Sequence, residues 1–238
     1  MDSLFVSLRL ADVHHDLLRN IVAVPAGFNA FDDLSDDARD WQLAREVSAD
    51  VSPPWGRTSA SVIDQPFEDA KWLNAIEWPF KNWRASRFSD GTFGVWYGSD
   101  SVLTTVYESA YHWYRGLLSD AGLDGEPVVS RRCVLAVMCQ AALIDLRTVL
   151  DHHPELLHPS DYTLCRTVGA RIHHEGHPGL VTQSARYAGG ENYAIFKAQV
   201  LSDPRHWGYL TYRFDGDHIA IEKDPGVTWR VLRVDVDV

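Results

Sequence analysis

Arg87, Tyr97 and Glu108 stand within one short stretch, SRFSDGTFGVWYGSDSVLTTVYESAYHWYR, residues 86–115. A guanidinium offers paired N–H donors to phosphate. A phenol ring offers a flat face for stacking. A carboxylate can hydrogen-bond a ribose hydroxyl and stabilise positive charge developing on a sugar carbon. Together the three suit a small, anionic, ring-bearing ligand such as a nucleotide.

The elements that must bring them together can be read locally. Ser89, Asp90 and Gly91 tolerate tight or left-handed backbone and form a turn. Phe93 to Tyr97 is rich in aromatic and β-branched residues and predicts a strand. Gly98 ends it, and Ser99, Asp100 or Ser101 can cap a following helix. In that helix Val102, Val106, Ala110, Trp113 and Leu117 recur at three- and four-residue steps and make one apolar face. Glu108 lies roughly opposite that face. Periodicity alone favours a solvated surface carboxylate; the same geometry also suits a helix whose outer side lines a cleft.

The stretch resembles the RES domain, the toxin half of bacterial Xre–RES toxin–antitoxin pairs. The longer branch of that family carries a Ser-Arg-Phe-Ser-Asp-Gly run, an aromatic pair, and a helix with a threonine, a glutamate and a Tyr-His pair. Here these are Ser86 to Gly91, Trp96 with Tyr97, then Thr104, Glu108, and Tyr111 with His112. A second block lies in EGHPGLVTQSARYAGGENYAIFKAQVL, residues 175–201, where the family serine maps onto Ser184. Gln183 precedes it where the family usually has proline, and Arg186, Gly189, Gly190 and Glu191 also fit. Without the resemblance, Ser184 reads as an ordinary turn hydroxyl. Many members place an arginine after an aromatic on a first strand. Residues 3–11 alternate partly and predict such a strand, so Arg9 takes that place, although Leu8 precedes it.

Composition sets outer bounds. The chain has 238 residues and 45% hydrophobic content, enough for a sizeable core, and one domain over 1–238 is the simpler organisation. The net charge of −11 argues against a general nucleic-acid or anionic-membrane binder. Cys133, Cys139 and Cys165 offer no even framework and no CxxC pair, which points to a reducing cytoplasm. The acidic N-terminus lacks a signal-peptide pattern, and no apolar run is long enough to span a membrane.

Residues 11–50 are helix-prone and acidic, with Asp36, Asp37, Asp40 and a solvated pattern around Ala44 to Glu46. Pro25 and Pro53–Pro54 punctuate this region, and residues 21–75 as a whole predict a helical insertion. Trp55, Trp72, Trp78 and Trp83 crowd its end; packing in a core or a homodimer contact is favoured over a stacking platform. Arg131 to Leu146 holds a continuous apolar run, consistent with a buried strand, though a helix also fits its length. Residues 159–170 predict a helix capped by Ser160 or Asp161, Gly189–Gly190 a hairpin, and Asp215–Gly216 another. Residues 216–238 alternate as C-terminal strands. His152, His153 and His158, and His173, His174 and His177, lie near prolines and lack a zinc spacing, so no metal is expected. No Walker loop, GxGxxG or GxSxG motif is present.

The resemblance implies an α+β fold like that of ADP-ribosyltransferases, a split, twisted β core with flanking helices, matching about residues 75–215. It implies a bacterial, cytoplasmic, NAD⁺-consuming toxin that breaks the nicotinamide–ribose bond by hydrolysis or phosphorolysis. Arg87 and Arg9 would hold the diphosphate and Tyr97 would pack on the nicotinamide or its ribose. Glu108 would stabilise the oxocarbenium-like transition state, and Ser184 would bond the nicotinamide end or a ribose hydroxyl. The partner would be an Xre-type helix-turn-helix antitoxin. A protein ADP-ribosyltransferase and a non-catalytic nucleotide-binding module are the alternatives, and the acceptor — water, phosphate or a protein side chain — stays open.

Overall fold

The computed structural model describes residues 2–23, 75–119, 121–123, 125 and 127–238. The expected insertion, with Pro25, the acidic residues 32–50, Pro53–Pro54, Trp55 and Trp72, lies outside them. The fold is α+β. Among the described residues eight strands form one sheet: β1 (Arg9–Val22), β2 (Trp96–Ser99), β3 (Val128–Asp145), β4 (Gly179–Gln183), β5 (Glu191–Ile195), β6 (Leu201–Phe214), β7 (His218–Asp224) and β8 (Val227–Arg233). Helices α1 (Asp2–Val6), α2 (Val102–Trp113) and α3 (Thr163–His174) are placed against it, as is a helical stretch over residues 75–81.

The long strand β3 organises the sheet. One of its edges carries β1 along its whole length, from Arg9 opposite Asp145 to Val22 opposite Arg132. The other edge is shared. Antiparallel β6 runs beside Val128 to Cys139, and parallel β4 takes over at Ile144 and Asp145. The sheet therefore splits at the end of β3. β4 continues through β5 and β2 back to β1, where Leu18 faces Ser99, and this closes a five-stranded ring. On the other side β6, β7 and β8 extend as an antiparallel sheet.

Trp96, Leu17, Leu135, Val137 and Ile195 are buried in one cluster of the ring strands. α2 packs Val106, Ala110 and Trp113 on Val134, Leu210, Tyr212 and Phe214. β3 is thus covered on both faces from Arg132 to Val137, which removes the alternation expected of a half-solvated strand. α3 buries Cys165, Val168 and Ile172 against Phe88, Leu146 and Leu180.

Two sequence expectations change. Residues 3–11 are not the first strand: Asp2–Val6 is helical, and the strand begins at Arg9 and runs to Val22 through a segment expected to be helical. Fourteen ladder partners on β3 override the local preference of its Leu, Ala and Asp residues. The strand expected at Phe93–Tyr97 is shifted to Trp96–Ser99, because Phe93 closes the preceding turn, its carbonyl accepting from Ser89 Oγ at 2.8 Å.

Candidate active site

Glu108 does not face bulk solvent. Ser101 caps α2, its hydroxyl accepting the Thr104 N–H at 3.1 Å. The apolar face of the helix then packs on β3 and β6, and its opposite side is roofed by the β4–β5 turn. Gly190 makes that approach possible: a Cβ there would stand 2.4 Å from Thr104 Oγ1. Asp100 fastens the two ends together, its Oδ1 accepting from Thr104 Oγ1 at 2.7 Å and from the Glu191 N–H at 3.0 Å. Arg147 bridges Asp145 and Glu191 behind this junction and holds the Asp145 carboxyl below its ordinary value.

Below Glu108 a row of polar side chains crosses the ring strands. Ser99, Asn192 and Thr182 are direct neighbours on β2, β5 and β4. Glu108 Oε1 accepts from Ser184 Oγ at 2.6 Å and from Asn192 Nδ2. Ser184 Oγ itself accepts the N–H groups of Arg186 at 3.1 Å and Tyr187 at 3.0 Å, so its one proton is free to point at Glu108. Thr182 is 1% exposed, and its hydroxyl has no partner.

The cleft around these groups holds about 550 Å³, within the range of roughly 300–1,000 Å³ typical of small-ligand sites. Arg19, Arg87, Arg166, Tyr97 and Glu108 all line it. Among the described residues three guanidinium groups and a single carboxylate line this space, in a chain whose net charge is −11. Arg87 donates through Nη1 to the carbonyls of His158 at 2.9 Å and Leu156 at 3.3 Å, and it stacks over the Tyr162 ring at 4.3 Å. Arg166 Nε donates to the Ser86 carbonyl at 3.0 Å. Gly169, one helical turn on, lets that loop lie against α3: a Cβ would meet the Phe88 carbonyl oxygen at 2.0 Å. Burial lowers the His112 imidazole below its ordinary value, against the opposing pull of Glu108.

Tyr97 lines the cleft, and its hydroxyl is committed to the loop that carries Arg87. The oxygen accepts the Phe88 N–H at 3.0 Å and shares a hydrogen bond with Ser86 Oγ at 2.8 Å. Burial pushes this phenol up to about 12. Tyr97→Phe should therefore destabilise the fold by about 1–3 kcal/mol, by orphaning the Phe88 N–H and the Ser86 hydroxyl. Urea denaturation reads that loss; an unchanged midpoint would mean that the hydroxyl does not hold the loop.

The structure brings Arg87, Tyr97, Glu108 and Ser184 together. It does not bring Arg9. That residue is exposed at the start of β1 and lines no part of the cleft. About 30 Å of extended chain separates it from Leu18 on the same strand. The β1 arginine of the cleft is Arg19, which donates to the Tyr97 carbonyl at 3.0 Å and lies 5.3 Å from the centre of the Trp96 ring. Burial pulls it down to about 10, and its Nε has no partner among the described residues. The sequence held a signal for it: Arg19 follows two leucines in LLRNIV, a run with strand character once the helical reading is dropped. Arg166 and Asn192 were also missed, because nothing local marks them.

Trp83 is 57% exposed and Trp78 falls in a helical stretch over residues 75–81. No group of three potential metal ligands gathers among the described residues.

The RES domain family model matches residues 63–215. No curated protein matches the sequence. Among solved structures, the one titled as the crystal structure of the M. tuberculosis MbcT–MbcA toxin–antitoxin complex is similar to 88% of this chain and 90% of its own. The identity is 11% and the TM-score 0.46.

Proposed function

This chain belongs to the RES domain family, and from that premise we propose that it is an NAD⁺-cleaving toxin, held in check by an antitoxin of the helix-turn-helix, Xre type. One observation carries the proposal: the cleft collects three arginines around a single, clamped carboxylate on an otherwise acidic protein. That charge pattern suits a diphosphate joined to a sugar whose carbon becomes cationic.

Arg19, Arg87 and Arg166 would bind the diphosphate through guanidinium N–H groups. Glu108 would stabilise the oxocarbenium-like ribose while the bond from C1′ to the pyridinium nitrogen breaks. The bonding electron pair leaves with nicotinamide, which becomes neutral. An acceptor oxygen then bonds C1′ and loses its proton. Ser184 acts by aiming Glu108 rather than by holding nicotinamide, since its only proton is spent on the carboxylate.

The test is incubation of purified protein with NAD⁺, with and without inorganic phosphate, and identification of products by mass. Free nicotinamide is the expected product. ADP-ribose identifies water as the acceptor, and its 1″-phosphate identifies phosphate. Label appearing on an added protein would move the reading to ADP-ribosyl transfer. Intact NAD⁺ after hours, with calorimetric binding retained, would leave only a nucleotide-binding module.

A further inference from the structure

We infer that Asn192, oriented by Ser99, is a positioning residue that fixes which oxygen of Glu108 meets the substrate. Its part in the reaction rests on the function proposed above; its effect on Glu108 does not.

The two sides of the Asn192 amide are distinguished by their partners. Ser99 Oγ donates to Asn192 Oδ1 at 2.7 Å. The Nδ2 group is thereby turned toward Glu108 and donates to Oε1. The reversed amide would set its own oxygen against the carboxylate, acceptor against acceptor. Ser99 is 5% exposed, so water cannot readily replace its bond. Asn192 and Ser99 face each other across the β2–β5 ladder, and the backbone register itself holds the pair in place.

The result is a one-sided clamp. Ser184 and Asn192 both donate to Oε1, from the β4–β5 turn and from β5, and no protein donor is recorded for Oε2 among the described residues. Two donors on one oxygen restrain rotation of the carboxylate, and Oε2 is left as the oxygen presented to the cleft. The basic groups around this space are His112 on α2, Arg186 from the β4–β5 turn, Arg87 and Arg166 across the cleft, Arg19 from β1 and Arg132 from β3, and Tyr97, Tyr162 and Tyr193 are its phenols. None of them is an anion. A carboxylate placed at position 192 would be the first negative charge beside Glu108.

The decisive measurement is the titration of the Glu108 carboxyl, followed by NMR with ¹³C-labelled glutamate and assigned through Glu108→Gln. Asn192→Asp should raise the Glu108 midpoint by about one pH unit or more relative to the parent, since a donor becomes a like charge. Asn192→Leu, which removes the donor without adding charge, should raise it less; it supplies the reading if Asn192→Asp does not fold. Ser99→Ala should raise it least, because Nδ2 remains but is no longer aimed. In NAD⁺ turnover, the acidic limb of the pH profile should move upward in the same order, and kcat should fall with little change in KM. A Glu108 midpoint unmoved in folded Asn192→Asp and Asn192→Leu proteins would overturn the inference. A parent protein that leaves NAD⁺ intact would end the proposed activity but not this result, because the titration needs no substrate.

Discussion

Glu108→Gln is expected to lower kcat for NAD⁺ cleavage by about a thousandfold while the protein stays folded. Losing one preorganised electrostatic contact to a transition state typically costs roughly 10²–10³ in rate. Here the loss is the only carboxylate lining the cleft among the described residues, so the upper end applies. The fold should survive because the amide oxygen can take over the bonds that Ser184 and Asn192 give to Oε1. The side chain keeps its volume and the helix keeps its cap. Binding of NAD⁺, read by calorimetry, should change far less than turnover, since the arginines proposed to hold the diphosphate are untouched. Glu108→Asp, with charge kept and reach shortened, should fall between the two. Parent-like turnover in folded Glu108→Gln protein would falsify the assignment.

Arg19→Met should raise KM for NAD⁺ by about tenfold to a hundredfold, and Arg9→Ala should leave it unchanged. A hydrogen bond to a charged group is worth about 1.5–3 kcal/mol, which sets that scale. The stability effect should be small, for two opposing reasons. The bond to the Tyr97 carbonyl is lost. A buried cation with no ion-pair partner among the described residues is removed as well, which relieves desolvation. Methionine keeps the stem that lies against Trp96. The comparison is a steady-state KM for both variants beside their urea midpoints. If Arg9→Ala raised KM and Arg19→Met did not, the strand assignment of the phosphate arginine would be reversed.

The two predictions differ in how far the sequence led to them. Glu108 stood out by its place in a motif, and α2 was readable from its apolar period. What periodicity could not show was a second layer over the polar side of the helix. The residues that make that layer, Ser184 and Asn192, lie 76 and 84 positions further along the chain. A helical period reports where the core is, and only the core. Arg19 was missed for another reason. Its strand is long and carries charge on both faces, so RLADVHHDLLRNIV shows neither clean alternation nor a buried run. Once the first strand was set too early, Arg9 was the arginine it contained. β3 was legible as a buried segment because its two-sided burial left an apolar run, which suited a strand but also a helix, and Asp215–Gly216 was legible because a two-strand turn of that kind is local chemistry. Of the ring closure from β1 through β2, β5 and β4 to β3, only the local β4–β5 hairpin left such a trace, at Gly189–Gly190; the other pairings join segments distant in the chain.

That closure has a consequence for when the site is completed during synthesis. The carboxylate acquires both of its clamping donors only when residues 184 and 192 are available. Long-range pairings form late, because the entropy of closing large loops must be overcome first. During synthesis the segment bearing Arg19, Arg87 and Glu108 leaves the ribosome well before the turn and strand that complete it. Until then a nascent chain carries Glu108 without the two donors that orient its carboxylate.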